Sequence, residues 1–306
     1  MQKAKASSPF FAAPALVLVI SVFMIFVQFA NLDTDNEAVI YGVMLILQLV
    51  VFAVPTAAFC FLRGKPYVFF LDIYAPRKYS VRVIVFGSLL TMLASAVLKF
   101  AIFHFVNDYS AYHLYGSSIT LNTGSFGGTL LMVLSLALFP ALTEEFIFRG
   151  IVMKEYKVCG SFFSMLLSSL LFAFVHFDLR QFPIYLLLGM LMAWITFITR
   201  SVWSAAIVHA AYNLYVIFFE KYIWLFSSNP DSDILFWLIL VAAMFVCAFF
   251  FLGAAERVMR YCSENGDSAP KPIKKKSRRA MLVDAVKEKP FLAEAALFLV
   301  VSLIVM

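Results

Sequence analysis

The stretch 141-ALTEEFIFRG-150 places two adjacent glutamates and an arginine inside one of the long apolar segments of the chain. These charges are unusual in their setting, because 63% of the 306 residues are hydrophobic and only 14% are charged. Soluble globular domains are about 45–50% apolar and about 25% charged. The composition therefore indicates an integral membrane protein, and three charges within one apolar segment call for a physical reason.

Apolar runs long enough to cross a bilayer recur along the chain. A membrane-spanning helix needs about 20 mostly apolar residues, and eight segments fit that requirement: 10–30, 38–62, 83–106, 128–157, 161–179, 182–199, 202–224 and 233–254. A further apolar segment, 291–306, would reach only about 24 Å as a helix, so it is either a short ninth span or an interfacial helix. Because lipid tolerates no exposed irregular backbone, the predicted fold class is all-α, a polytopic transmembrane helical bundle.

Basic residues alternate from loop to loop. Lys3 and Lys5 precede the first span, the following loop has no Lys or Arg, and the loop after the second span carries five basic residues. This alternation predicts a cytoplasmic N-terminus by the positive-inside rule. It also explains the net charge of +6 through orientation, so nucleic-acid binding is not predicted. The compact, loop-poor chain without targeting signals favours a bacterial plasma membrane.

The chain divides by composition into three predicted parts. Residues 1–255 form a multi-span membrane domain whose core lies at about 128–224. Residues 256–290 form a basic, flexible cytoplasmic loop, in which 271-KPIKKKSRR-279 could contact anionic lipid head groups. Residues 291–306 form the C-terminal apolar helix.

The charges of the opening stretch differ in their helical neighbours. Glu145 and Arg149 are four residues apart, so they share one helix face and can form an ion pair. Glu144 is rotated by about 100° from Glu145 and has Phe148 as its own i+4 neighbour, which leaves it without a partner in its helix. Since an ionisable residue at membrane depth costs at least about 2.5–3.5 kcal/mol, Glu144 is a candidate functional residue. Lys99 lies near a span end, where its side chain can reach the interface, and receives no role.

Further polar residues are predicted at the depth of Glu144. Glu144 lies sixteen residues before Gly160 and His176 sixteen residues after it, so a helical hairpin that turns at Gly160 brings both to the same height. Phe172 lies one turn from His176 and can form one wall of a pocket. His209 and Asn213 share a face of the seventh span, and Pro140 can kink the fourth span and open space for water.

These groups suit the hydrolysis of an amide bond by activated water. A carboxylate and an imidazole in a water-poor pocket can together hold and deprotonate a water molecule. A second imidazole and an amide N–H can donate hydrogen bonds to a developing oxyanion. No serine or cysteine is evidently placed beside a base, so a covalent mechanism is not favoured.

The motif E-E-x-x-x-R (Glu144, Glu145, Arg149), followed by F-x-x-x-H (Phe172, His176) and H-x-x-x-N (His209, Asn213), resembles the type II CAAX prenyl protease and bacteriocin-processing family, also called Abi or CPBP. The resemblance covers roughly 135–215. It implies an intramembrane glutamic endopeptidase without cofactor or bound metal that cleaves a membrane-associated peptide or protein. It further implies that Glu144 and His176 activate water, that His209 and Asn213 form the oxyanion site, and that Glu145 and Arg149 hold the pocket or position substrate.

The same residues are also compatible with other functions. Two glutamates and two histidines could bind zinc, although the chain has no H-E-x-x-H motif. A non-catalytic scaffold, regulator or immunity protein could retain the pocket without turnover, and interhelical hydrogen bonding alone could account for the histidines. A proton-coupled transporter is disfavoured, because the sequence shows neither internal repeats nor paired interrupted helices.

Overall fold

A computed structural model describes residues 9–28, 36–64, 73–106, 125–227, 233–265 and 278–305. Most of the basic stretch 271–279, with its predicted lipid contacts, lies outside these residues. The described part of the chain is helical and contains no β-strand. This confirms the predicted all-α class, and the apolar helices define an integral membrane protein.

Fourteen α-helices are found within these ranges, and several continue into one another through short π-helical or 3₁₀ turns. Their bounds are α1 Pro9–Gln28, α2 Glu37–Gln48, α3 Val54–Arg63, α4 Val81–Val106, α5 Phe126–Val133, α6 Phe139–Glu145, α7 Met153–Glu155, α8 Ser161–Phe174, α9 Phe182–Thr199, α10 Val202–Phe218, α11 Glu220–Ser227, α12 Asp233–Glu264, α13 Arg278–Val286 and α14 Lys289–Val305. The π turns are Leu49–Ala53, Leu134–Leu138 and Phe146–Val152, and the 3₁₀ turns are Lys78–Ser80 and Tyr156–Cys159.

Six helical segments in the described ranges are long and apolar enough to cross a membrane, compared with the eight that the sequence predicts. They are Phe10–Val27, Ala38–Arg63, Lys78–Ile102, Phe126–Cys159, Phe182–Thr199 and Ile234–Glu264. The predicted fifth and seventh spans, 161–179 and 202–224, are shorter helices, Ser161–Phe174 and Val202–Phe218. The 14 residues of α8 reach only about 21 Å, because the chain leaves the helix before His176.

The C-terminal part of the chain is more helical than its composition suggests. Helix α12 runs to Glu264, nine residues past the predicted boundary at 255, and α13 and α14 follow from Arg278 onward. Helix α14 packs along α1, where Ser21 donates a hydrogen bond of 2.7 Å to the buried Glu294. The ends of the chain therefore meet in one helix pair, while crossing of the bilayer by 291–306 stays a prediction.

Four apolar clusters of buried residues are found in the described ranges, and two of them are large. The first surrounds the π turn Phe146–Val152 and joins it to α1, α8 and the two C-terminal helices. The second joins α4, α9, α10 and α12. The polar motif residues stand between these two groups of helices, since α10 packs against both α4 and α6.

The helix that carries the two glutamates, here called the motif helix, consists of α6 and the π turns that flank it. It is therefore irregular on both sides of the two glutamates. The π turn Leu134–Leu138 precedes Pro140, and the π turn Phe146–Val152 follows Glu145. A proline lacks the N–H that would bond one turn back, which loosens the preceding turn. The irregularity expected at Pro140 is thus present as a π turn, and π turns are frequent at functional sites.

Candidate active site

A cavity of about 390 Å³ lies between the helices at the level of the motif residues. Glu144, Phe172, His176, His209 and Asn213 all line it, although the sequence separates them by up to 69 positions (213 − 144). Apolar side chains form most of the remaining wall, contributed by several helices. The structure thus brings together every predicted site residue except Glu145 and Arg149, which lie directly behind the wall.

Glu145 and Arg149 form a fully buried ion pair behind the cavity. Arg149 Nη1 lies 2.8 Å from Glu145 Oε1, and neither side chain is exposed. Arg149 Nη2 donates to the carbonyl oxygen of Gly189 at 2.9 Å, and the guanidinium carbon lies 4.6 Å from the centre of the Phe172 ring. The arginine therefore ties the motif helix to both α8 and α9.

Glu145 has a second partner that the sequence spacing did not predict. His209 Nδ1 lies 2.9 Å from the same oxygen, Glu145 Oε1. A carboxylate paired with arginine accepts hydrogen bonds, so the His209 Nδ1–H donates and the imidazole is fixed in orientation. With Nδ1 donating to Glu145, His209 can donate from Nε2 to an oxyanion only as the imidazolium.

His176 lies past the end of α8 rather than within a span. Val175 caps the helix, and the following Phe177 takes a left-handed backbone with φ of 49°. His176 Nδ1 contacts the carbonyl oxygen of Phe172 at 2.7 Å. Because a carbonyl oxygen only accepts, Nδ1 carries the proton, and Nε2 of the neutral ring remains as an acceptor.

Aromatic rings fix the plane of His176. The ring stacks on Tyr185 with centroids 3.9 Å apart and lies against Phe172 at 4.7 Å. The Phe172 ring contacts His209 edge-on at 5.9 Å as well. Phe172 therefore lies between the two histidines, which agrees with the expectation that it forms a wall of the pocket.

Glu144 has few polar contacts. Its Oε2 atom is buried without a hydrogen-bond partner among the described residues, and no hydrogen bond in that part of the chain joins Glu144 to His176. Both groups line the same cavity, so a water molecule could stand between them. On the other side, Asn213 Nδ2 donates to the carbonyl oxygen of Ala137 at 3.4 Å, in the π turn before Pro140.

Some polar groups at the cavity were missed in the sequence. The expectation that Lys99 reaches the interface is wrong, because Lys99 is 1% exposed, forms an ion pair with Glu220 and lines the cavity. Its partner follows the end of α10 and is 121 residues distant, so no local spacing could reveal the pair. Gln48 on α2 also lines the cavity, and its only sequence signal is an amide within an apolar span.

A second cavity, of about 490 Å³, lies beside α6 and is almost entirely apolar. Thr143 lines it, and Phe52 lines both cavities. Its two threonine hydroxyls are used internally, since Thr56 donates to the carbonyl oxygen of Phe52 and Thr143 to that of Phe139. The motif helix thus separates the cavity that the motif residues line from a second cavity that is almost entirely apolar.

The described residues offer no preformed metal centre. No group of three or more His, Cys, Asp or Glu side chains lies close enough in those ranges to share an ion. The geometry therefore gives no specific support to the zinc alternative, which stays an outcome for experiment.

The segment that carries the motif residues is similar to known membrane peptidases. Residues 125–215 match the family described as type II CAAX prenyl endopeptidase Rce1-like. The chain is 30% identical over 91 residues to the putative membrane peptidase YdiL of Bacillus subtilis, covering 29% of this chain and 37% of that protein. It is 22% identical over 219 residues to the membrane-embedded CAAX protease MroQ of Staphylococcus aureus, covering 67% of this chain and 83% of that protein. No solved structure matches significantly.

The chain is thus an all-helical integral membrane protein related to membrane peptidases. The family resemblance is confirmed for residues 125–215, which match the type II CAAX prenyl endopeptidase Rce1-like family.

Proposed function

We propose that this protein is an intramembrane glutamic endopeptidase that hydrolyses a peptide bond without a metal ion. One observation carries the proposal: Glu144, His176, His209 and Asn213 come from separate parts of the chain and line one cavity of about 390 Å³. Scattered structural hydrogen bonds would not require these four groups to converge. The apolar wall keeps the cavity poor in water, which strengthens the polar interactions inside it.

The proposed reaction begins with a water molecule between Glu144 and the Nε2 atom of His176. Glu144 accepts a proton as the water oxygen attacks the carbonyl carbon of the scissile bond. The carbonyl oxygen becomes an oxyanion, to which His209 and Asn213 donate hydrogen bonds. Return of the proton to the leaving nitrogen breaks the C–N bond and releases a carboxylic acid and an amine, between which a further proton transfer gives a carboxylate and an ammonium group. Glu145 and Arg149 hold His209 in place throughout.

We propose a membrane-associated peptide or protein as the substrate and a bacterial plasma membrane as the location, with the N-terminus in the cytoplasm. The depth of the cavity within the helices supports a substrate that reaches the bilayer. Both relatives are bacterial membrane proteins, and one is named a CAAX protease. Contacts of the 271–279 stretch with anionic lipid head groups belong to the same proposal.

The test compares peptide termini in membranes of cells that express the wild-type chain, Glu144→Gln or His176→Ala at equal levels. We expect new termini with the wild-type chain and a loss of at least 100-fold in their yield with either variant, because each removes one of the groups that activate water. Glu256→Gln is the matched control, since Glu256 is exposed, pairs with Arg260 in its own helix and does not line the cavity. Termini that persist in Glu144→Gln would contradict the mechanism.

Two further arms separate the alternatives. Activity that a chelator abolishes and added zinc restores would favour a metalloprotease. A cellular effect that survives Glu144→Gln, without any Glu144-dependent termini, would favour the scaffold or immunity function.

A further inference from the structure

Gln48 approaches the candidate site from outside the family-matched segment. It is the last residue of α2, directly before the π turn Leu49–Ala53, whereas the family match begins at residue 125. Its side chain is half-buried and lines the same cavity as Glu144. An amide in an otherwise apolar helix needs hydrogen-bond partners, because an unsatisfied polar group in lipid is costly.

The orientation of the Gln48 amide follows from its contact with Thr143. Gln48 Nε2 lies 3.3 Å from Thr143 Oγ1. The single hydroxyl proton of Thr143 is directed to the carbonyl oxygen of Phe139, at 2.9 Å, so Oγ1 accepts from Gln48. The NH₂ end of the amide therefore faces the motif helix, and the amide oxygen faces away from it.

One N–H of this amide remains after the contact with Thr143. Glu144 directly follows Thr143, and Gln48 and Glu144 line the same cavity, so the remaining N–H can be directed at the Glu144 carboxyl group. Glu144 lies near the end of α6, and the π turn Phe146–Val152 begins two residues later. A donor on a neighbouring helix can add a restraint on the Glu144 side chain where the regular α-helix ends.

We propose that Gln48 is a positioning residue for the reaction, donating a hydrogen bond to Glu144 that aims the Glu144 carboxyl group into the cavity, while its separate hydrogen bond to Thr143 only joins α2 to α6. The proposal rests on the proposed function, because it gives Gln48 a role through Glu144. One carboxylate oxygen is held by the amide, and the other is left for the water molecule. A purely structural contact between α2 and α6 would need only the hydrogen bond to Thr143.

The experiment measures kcat and KM of the purified full-length protein in lipid nanodiscs. The substrate is a peptide that spans a terminus produced by the wild-type protein and not by Glu144→Gln. Gln48→Met keeps the length of the side chain and removes the donor, whereas Gln48→Glu keeps the shape and places a second carboxylate beside Glu144. Thr143→Val removes the contact with Thr143 and leaves the Gln48 amide free to face Glu144.

We expect Gln48→Met to lower kcat by about 10- to 100-fold with KM changed less than twofold, as for loss of a hydrogen bond to a charged group. Gln48→Glu should lower kcat further, and Thr143→Val should keep kcat within threefold of wild type. If Gln48→Met is not recovered folded, Gln48→Glu and Thr143→Val decide the question.

Equal losses in Thr143→Val and Gln48→Met would overturn the proposal, because they would assign Gln48 to the helix contact alone. Wild-type kcat in the Gln48 variants would overturn it as well, while leaving the proposed function intact. Cleavage that persists in Glu144→Gln would overturn the proposed function together with this inference.

Discussion

A single carboxylate oxygen of Glu145 contacts two side chains. Arg149 and His209 both contact Oε1, at 2.8 and 2.9 Å. The ion pair lies within one helix, but the histidine comes from α10. A buried charge is costly unless it is paired and hydrogen-bonded. The ion pair with Arg149 offsets this cost for Glu145. Glu145 can therefore be buried behind the cavity, where it orients His209.

Loss of Arg149 should therefore destabilise the fold as well as the site. We expect Arg149→Met to lower the free energy of unfolding by about 3–5 kcal/mol, the range for a buried pair that loses one partner. Thermal unfolding in detergent measures the effect. The double variant Glu145→Gln with Arg149→Met should recover part of the loss, because it leaves no unpaired buried charge. An unchanged melting temperature in Arg149→Met would contradict the pairing.

Residues a few positions apart could be predicted from the sequence, and distant pairs could not. The i,i+4 spacing indicated the Glu145–Arg149 pair because a helix places such residues on one face. The contact of His209 with Glu145 spans 64 positions, and that of Gln48 with Thr143 spans 95. Such contacts depend on how whole helices pack, which periodicity alone does not determine.

The positions at which helices end differ most from what the sequence predicts. The sequence indicated a helical hairpin with its turn at Gly160, and that residue has a φ of 95°, which glycine adopts readily. The hydropathy pattern did not show that α8 stops before His176, because apolar Val175, Phe177 and Leu179 alternate with polar residues after Phe174. The π turns could not be predicted either, since no amino-acid composition is specific to them.

Close packing of α8 on α9 depends on Gly189. A Cβ atom at this position would lie 2.9 Å from Ser169 Cβ and 3.1 Å from its Cα, which is backbone and cannot rotate away. The carbonyl group of Gly189 also accepts from Arg149. We expect Gly189→Ala to separate the two helices, destabilise the protein by about 1–3 kcal/mol and lower activity.

Gly253 is the matched control for that experiment. A Cβ atom at Gly253 meets nothing within 4 Å, so Gly253→Ala should be neutral or raise stability by up to about 1 kcal/mol through helix propensity. Melting temperatures of the two variants in the same detergent decide the matter. Equal melting temperatures would show that α8 and α9 tolerate the extra methyl group.

At the scale of the whole molecule, polar contacts join helices that are far apart in the chain. Ser21 and Glu294 connect the first and last described helices across 273 positions. The sequence indicated the apolar helices and the site-bearing core, because hydrophobicity and local spacing carry that information. The order in which the helices pack is decided by side-chain complementarity between them, so it appeared only in the structure.

The ion pair of Lys99 with Glu220 is another such contact, beside the cavity. It joins α4 to the start of α11, and both side chains are nearly inaccessible. Lys99 and Tyr212, on the packed helices α4 and α10, both line the cavity. The ion pair thus holds α4 against the helix that carries His209 and Asn213.

We expect Lys99→Met to leave Glu220 buried without its counter-charge and to lower the free energy of unfolding by about 3–5 kcal/mol. Glu220→Gln should produce a similar loss, because it leaves the ammonium group without a carboxylate. The double variant should be more stable than either single variant, since it removes both charges together. A double-mutant cycle from thermal unfolding measures this coupling directly. Additive losses would show that the two side chains act independently, and the link between α4 and the His209 helix would then have to come from apolar packing alone.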